Sequence, residues 1–198
     1  MIVNGNRVKK KPFPAGGRAK SPGPRAMAGR LRVIARTGDR RRGWLILDGR
    51  AMPVALGRGG IRADKREGDG ATPRGIWHPR ELRYRADHGL RPATHLPVRR
   101  TRREDGWCDD PADGRYNRPV RLPFRASHEE MWRADALYDL VVVLDHNERP
   151  RQAKRGSAVF LHLARPGFEP TAGCVAFRRA DLRRLLARLG PRTRIEIV

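Results

Sequence analysis

Apolar positions in this chain recur mostly with a period of two and in short runs, which predicts strands rather than helices. "LRVIA" (31–35), "GWLIL" (43–47) and "AMPVAL" (51–56) read as three β-runs, and the Asp-Gly of "LDGR" between the last two carries the residues of a hairpin turn. "LYDLVVVLDHN" (137–147) is an apolar run with β-branched residues at its centre, the best candidate for a central strand, and "SAVFLH" (157–162) is a second. "TRIEIV" closes the chain as an alternating strand. Two stretches carry helical spacing instead. In "DLRRLLARLG", Leu182, Leu185, Leu186 and Leu189 fall at i, i+3, i+4 and i+7, with Asp181 as a candidate cap and Gly190-Pro191 as the stop. Ser127 with Glu130 three residues on forms a capping box ahead of "MWRADALY", which predicts a short helix burying Met131, Leu137 and Tyr138. Residues 98–125 are polar and turn-rich and take no assignment. The sum is a β-rich α+β domain, not an alternating βαβ pattern.

Residues 1–29 hold four Pro, five Gly, seven Lys or Arg and no acid, and they predict a disordered basic tail ahead of one domain over 30–198. The full chain of 198 residues carries net charge +23, from 44 Lys and Arg against 21 Asp and Glu. Such a balance attracts polyanions. Yet 38 of those 44 are Arg, in a chain also rich in Gly and Pro, so the excess reads as a general composition bias and no obligate nucleic-acid partner follows from it. Aromatic residues make up only 6%, too few to supply the stacking platforms of a single-strand binder. No run of about 18 apolar residues is present, so no transmembrane helix is expected. The N-terminal basic residues lack the apolar core of a cleaved export signal behind them.

Cys108 and Cys174 lie far apart and outside any C-x-x-C, which argues against a structural zinc site or a disulfide framework, though a single bridge stays open. Cys108 stands beside Asp109 and Asp110, whose charges oppose a thiolate, and reads as structural. Cys174 follows Gly173, which permits a tight turn exposing thiol and backbone N–H together, as an oxyanion hole needs. His162 stands at the end of the run "AVFLH", twelve positions earlier. A thiol with an ordinary pKa of ~8.5 needs such a partner to act as a nucleophile at neutral pH. His146 and Asn147 follow "LVVVLD" as His162 follows "AVFL", so adjacent strands could bring them to the same site as an orienting or substrate-binding pair. The remaining histidines and the Asp cluster at 105–113 lack ligand spacing, and neither a metal nor a cofactor is expected.

The strand ending in His162 followed by Thr171-Ala172-Gly173-Cys174-Val175 resembles the signature of the L,D-transpeptidase (YkuD-like) catalytic domain. The upstream "GDGATPRGIW", with Thr72, Pro73, Gly75 and Trp77, is similar to another segment of the same family. The resemblance covers about residues 31–198. It implies a β-sandwich with one or two helices, Cys174 as nucleophile, His162 as its base, backbone N–H groups of Gly173 and Cys174 as oxyanion donors, and Thr171 at the family's Ser/Thr position. It further implies acyl transfer between peptidoglycan stem peptides through a Cys174 thioester, and a place in the cell envelope or periplasm. Two positions depart from the family pattern: Ala172 stands where a second histidine is common, and Ala176 where an arginine is common. If "CVAFRR" continues as a strand, Arg178 shares a face with position 176 and could supply the missing guanidinium. Three alternatives stay open: hydrolysis by the same site as an L,D-carboxypeptidase, a polyanion-binding module without catalysis, and a cytoplasmic location.

Overall fold

A computed structural model describes residues 30–198, and the tail expected over 1–29 lies outside the described residues. The N-terminal strands β1 (Arg30–Arg36), β2 (Asp39–Leu47) and β3 (Arg50–Ala55) form an antiparallel meander. Its β2–β3 turn places Asp48 and Gly49 at φ 49° and 74°, the two left-handed residues that a tight hairpin matching strand twist requires. Short strands follow: β4 (Ile61–Arg62), β5 (Thr72–Pro73), β6 (Gly75–Trp77), β7 (Pro79–Tyr84) and β8 (Val98–Arg100). Then come β9 (Asp105–Cys108), β10 (Arg118–Arg121), β11 (His128–Glu130), β12 (Leu140–Leu144), β13 (Phe160–Leu163), β14 (Val175–Phe177), helix α1 (Arg179–Leu186) and β15 (Arg194–Ile197).

Ten strands join in the order β6-β15-β1-β2-β3-β14-β13-β12-β7-β8. One apolar cluster draws Ile195 and Ile197 from near one end of this sheet, Leu82 from near the other, and Leu182, Leu185 and Leu186 from α1. A single cluster fed from both ends means that the sheet folds over on itself as a sandwich, with α1 sealing the core. β12 is buried on both faces. Leu140, Val142 and Leu144 enter this first core, while Val141 and Val143 enter a second one beneath the three-stranded sheet β10-β9-β11. β13 and β14 divide in the same way. Leu161, Leu163, Val175 and Phe177 belong to the first core, and Phe160 and Cys174 to the second.

Three expectations are corrected here. No helix follows Ser127: His128, Glu129 and Glu130 pair in register with Cys108, Trp107 and Gly106, and the chain then runs through turns to β12. Ladder pairing with β9 satisfies this backbone and sends Met131 into the second core, which the weak local capping signal cannot outweigh. The strand that follows Cys174 ends at Phe177, and Arg178 is the N-cap residue of α1. Asp181 does not cap that helix but sits in its first turn. Residues 98–125, unassigned from sequence, supply β8, β9 and β10. Both cysteines are free and buried, so no bridge joins them.

Candidate active site

The parallel pairing of β13 with β14 sets His162 opposite Ala176, and Cys174 precedes Ala176 by two residues on the same face. Imidazole and thiol therefore line one cleft of about 230 Å3, whose walls include Glu129, Arg133, Tyr138, Arg165 and Thr171. The turn that presents the thiol is fixed from three sides. Thr171 is held to the 56–58 segment by hydrogen bonds from its N–H to the Leu56 carbonyl (2.9 Å) and from the Arg58 N–H to its own carbonyl (2.9 Å). Its hydroxyl donates to the Cys174 carbonyl (2.7 Å) and accepts from the Gly173 N–H (3.1 Å). Gly173 adopts φ +144°, and a Cβ there would stand 2.9 Å from the Ala71 carbonyl oxygen, so both conformation and space exclude a side chain. The Thr-Pro-x-Gly segment thus acts as a buttress: Ala71 presses on Gly173, and the Thr72 hydroxyl reaches toward the Cys174 carbonyl (3.5 Å).

Two backbone groups hold the thiol. The Phe160 N–H donates to Sγ (3.3 Å), and Sγ donates to the Ala158 carbonyl (3.2 Å). Burial pushes the Cys174 thiol up to about 12, and nearby Glu129 adds to the effect. His162 donates from Nδ1 to the Leu163 carbonyl (2.8 Å), which selects the tautomer with a bare Nε2 lone pair. Burial, together with the charges of Arg133 and Arg165, brings the imidazole down to about 4. At neutral pH the resting pair is therefore an uncharged thiol and an uncharged base. The Tyr138 ring stands edge-on to His162 at 5.2 Å, and its hydroxyl donates to Glu129 Oε2 (2.5 Å). Desolvation raises the Glu129 carboxyl above its ordinary value.

Of the residues singled out from sequence, Cys174, His162 and Thr171 meet in this cleft and three others do not. Arg178 is exposed on the α1 side and stacks over Phe168 at 5.2 Å, because the strand stops one residue before it. The guanidinium groups in the cleft wall come instead from Arg133 and Arg165, which share Asp135 (2.6 and 3.3 Å). His146 is buried against Trp77, with Nε2 donating to the Arg155 carbonyl (3.0 Å). The Asn147 side chain bonds to the backbone of Gln152 and Gly156, closing the loop between β12 and β13. The Gly173 N–H, expected as an oxyanion donor, is engaged by Thr171, which leaves the Cys174 N–H as the amide nearest the thiol.

This arrangement of a strand-end imidazole, a glycine-enforced turn and a buried thiol coincides with a family match. The L,D-transpeptidase (YkuD) catalytic domain model matches residues 30–197. The chain belongs to this L,D-transpeptidase catalytic domain family. Among curated proteins and among solved structures, nothing matches the chain significantly. Like the family assignment, the β-rich sandwich agrees with the resemblance read from the sequence. No helix among the described residues is long and apolar enough to cross a membrane, and no three of their His, Cys, Asp or Glu side chains cluster as metal ligands.

Several residues of this L,D-transpeptidase-family site were not foreseen. Glu129 and Tyr138 fell inside the expected helix, where an acid and an aromatic read as solvent face and core. Asn117 gave no signal at all, yet its side chain makes four bonds. Oδ1 accepts from Trp107 Nε1 (3.0 Å) and the Ala158 N–H (3.1 Å), and Nδ2 donates to the carbonyls of His146 (2.9 Å) and Asn147 (3.0 Å). It thereby holds Ala158, at φ 50°, in the conformation whose carbonyl receives the Cys174 thiol.

Proposed function

We propose that this L,D-transpeptidase-family protein cross-links peptidoglycan stem peptides in the cell envelope through a Cys174 thioester. The observation that carries the reading is the pairing, on one face of β13 and β14, of a buried thiol with an imidazole whose Nε2 is left bare by the Nδ1 bond to Leu163. A donor stem tetrapeptide enters the cleft and displaces the Sγ–H contact with Ala158. Sγ attacks the carbonyl of the third residue while His162 Nε2 takes the thiol proton. With a pKa near 12 on sulfur and near 4 on imidazole, this transfer accompanies bond formation rather than preceding it. The Cys174 N–H receives the developing oxyanion. The C–N bond to the terminal D-Ala then breaks, and His162 returns the proton to the departing amine. An amine of a second stem attacks the thioester, forming the new amide and releasing the thiol. Water in that role makes the same site a carboxypeptidase. Arg133 and Arg165 suit the carboxylates of such peptides, and occupy the role that Ala176 leaves open.

A carbapenem, which acylates nucleophilic thiols, tests the reading by mass spectrometry of the intact chain. A single covalent adduct is expected, absent from Cys174→Ala. Folded protein that forms no adduct, or an adduct that persists in Cys174→Ala, would overturn it. Incubation with disaccharide tetrapeptides then separates cross-linked product from hydrolysed product, and fractionation of cells locates the protein.

A further inference from the structure

The cleft that holds Cys174 also holds an acid without a cationic partner. Glu129 pairs in register with Trp107 across β11 and β9, and residues directly opposed across antiparallel strands share a face. Trp107 packs on Phe160 (5.2 Å), whose N–H donates to Sγ, so the Glu129 side chain is turned toward the same strands. Its own contact agrees: Oε2 accepts from the Tyr138 hydroxyl, and the Tyr138 ring stands edge-on to His162. Oε1 makes no hydrogen bond among the described residues, and the side chain is partly exposed in the cavity that it lines with Cys174 and His162. The other charged side chains of this wall are matched. Arg133 and Arg165 share Asp135, and Arg165 lies 3.9 Å from Glu169. Glu129 has no ion-pair partner among the described residues.

An anion at this place opposes the first half-reaction and favours the second. Beside the free thiol it makes the proton harder to remove. Once a thioester has formed, sulfur carries no proton and that penalty is gone. The incoming amine then arrives as an ammonium ion, which has no lone pair to attack with, and His162, brought down to about 4, is too weak a base to strip it. Burial raises the Glu129 carboxyl toward the basicity of an amine, while the Tyr138 hydroxyl and the charge of Arg133 favour its ionised form.

We propose that Glu129 is a catalytic residue for the acceptor: its carboxylate binds the ammonium group of the incoming amine in the cleft and takes one of its protons, an inference that rests on the thioester route above. The freed nitrogen lone pair forms the C–N bond and the C–S bond breaks. A second N–H proton passes through His162 Nε2 to the departing sulfur, the third stays on the new amide, and Glu129 gives its proton to water. A cationic amine is thereby favoured over water as acceptor.

The test follows the fate of the acyl group in the full chain, supplied with a disaccharide tetrapeptide and either Nα-acetyl-lysine amide, a cation at neutral pH, or hydroxylamine, which is uncharged there. Mass spectrometry gives the ratio of amine-coupled to hydrolysed product for each nucleophile. In Glu129→Gln the ratio with the lysine derivative is expected to fall at least about tenfold, and that with hydroxylamine by less than about twofold. The carbapenem adduct at Cys174, which needs only the first half-reaction, forms at least as fast in this variant and certifies that it is folded. Tyr138→Phe, which releases the carboxylate from the bond that aims it, gives a smaller fall of the same selectivity and decides the matter should Glu129→Gln fail to fold. An unchanged ratio with the lysine derivative, or an equal fall with both nucleophiles, would overturn the proposal and leave the thioester route standing. So would a native chain that forms the adduct yet passes the acyl group to water alone. A native chain that forms no adduct overturns the route and this inference with it.

Discussion

Asn117 offers the sharpest test of how the fold holds the thiol. Replacing it by Ala strands two donors, Trp107 Nε1–H and the Ala158 N–H, and removes one donor from each of two carbonyls. A partly buried donor left without an acceptor costs about 1–2 kcal/mol, so the two together cost about 2–4 kcal/mol, while the carbonyls retain a second lone pair and add less. Asn117 also sits at φ 54°, where Ala is disfavoured by about 1 kcal/mol. The expected loss is about 3–5 kcal/mol, which for a domain of this size lowers Tm by roughly 6–20 °C. Asn117→Gly, free of the φ penalty, recovers about 1 kcal/mol of that loss. The functional readout is the alkylation of Cys174 by iodoacetamide at a temperature where each variant is folded. With Ala158 released, its carbonyl no longer holds Sγ, and alkylation quickens relative to the native chain. A stability loss under about 1 kcal/mol, or native alkylation kinetics in a folded Asn117→Ala, would refute the assigned role.

Three further outcomes follow from the same geometry. Glu129→Gln removes the charge that, after burial, holds the thiol proton most firmly, so the alkylation profile of Cys174 moves to lower pH; an unmoved profile contradicts that assignment. Arg133→Ala reduces turnover of a stem tetrapeptide, chiefly through KM, whereas Arg178→Ala does not, because only the first lines the cleft; equal effects in steady-state kinetics contradict this. His162 and His146 are both held near pKa 4 against an ordinary 6.5 by burial. A depressed folded pKa gives stability present above about 6.5 and lost as pH falls toward 4, on the order of 3 kcal/mol for each. Urea titrations should therefore show an acid decline across pH 6.5 to 4 that is shallower in His162→Gln, and an equally steep decline in that variant would count against it.

Much of this was readable from local pattern, and what was not had a common cause. The β1–β3 meander and α1 announce themselves through period-two runs, an Asp-Gly turn and a leucine stripe, all short-range signals. Cys174 and His162 were visible because glycine geometry and a strand end are local too. Arg178 was misplaced through a one-residue error in where the strand stops, and such errors at element ends change which way a side chain points. The helix expected after Ser127 failed because β9, some twenty residues upstream, competes for the same backbone, a partner that local spacing cannot reveal. Glu129, Arg133 and Asn117 are brought to the site or its support by that three-stranded sheet, so their roles became legible only with the pairing.

The two-sided burial of β12, β13 and β14 has a consequence for how the sequence can change. Along 140–144, even positions fill the first core and odd ones the second; in β13 and the segment 174–177 the parity is reversed, with 160 and 174 in the second core and 162, 174 and 176 lining the cleft. Neighbouring residues thus answer to different surroundings, and a scan of all substitutions should alternate where the strands meet the cleft: loss of folding at 161, 163, 175 and 177, and folded protein with altered thiol reactivity at 162, 174 and 176. Deleting a single residue within one of these strands exchanges the two sets, forcing imidazole or thiol into the leucine core. Length in these three segments is therefore under tighter constraint than identity, and variation is expected to arrive by replacement within a parity class rather than by insertion.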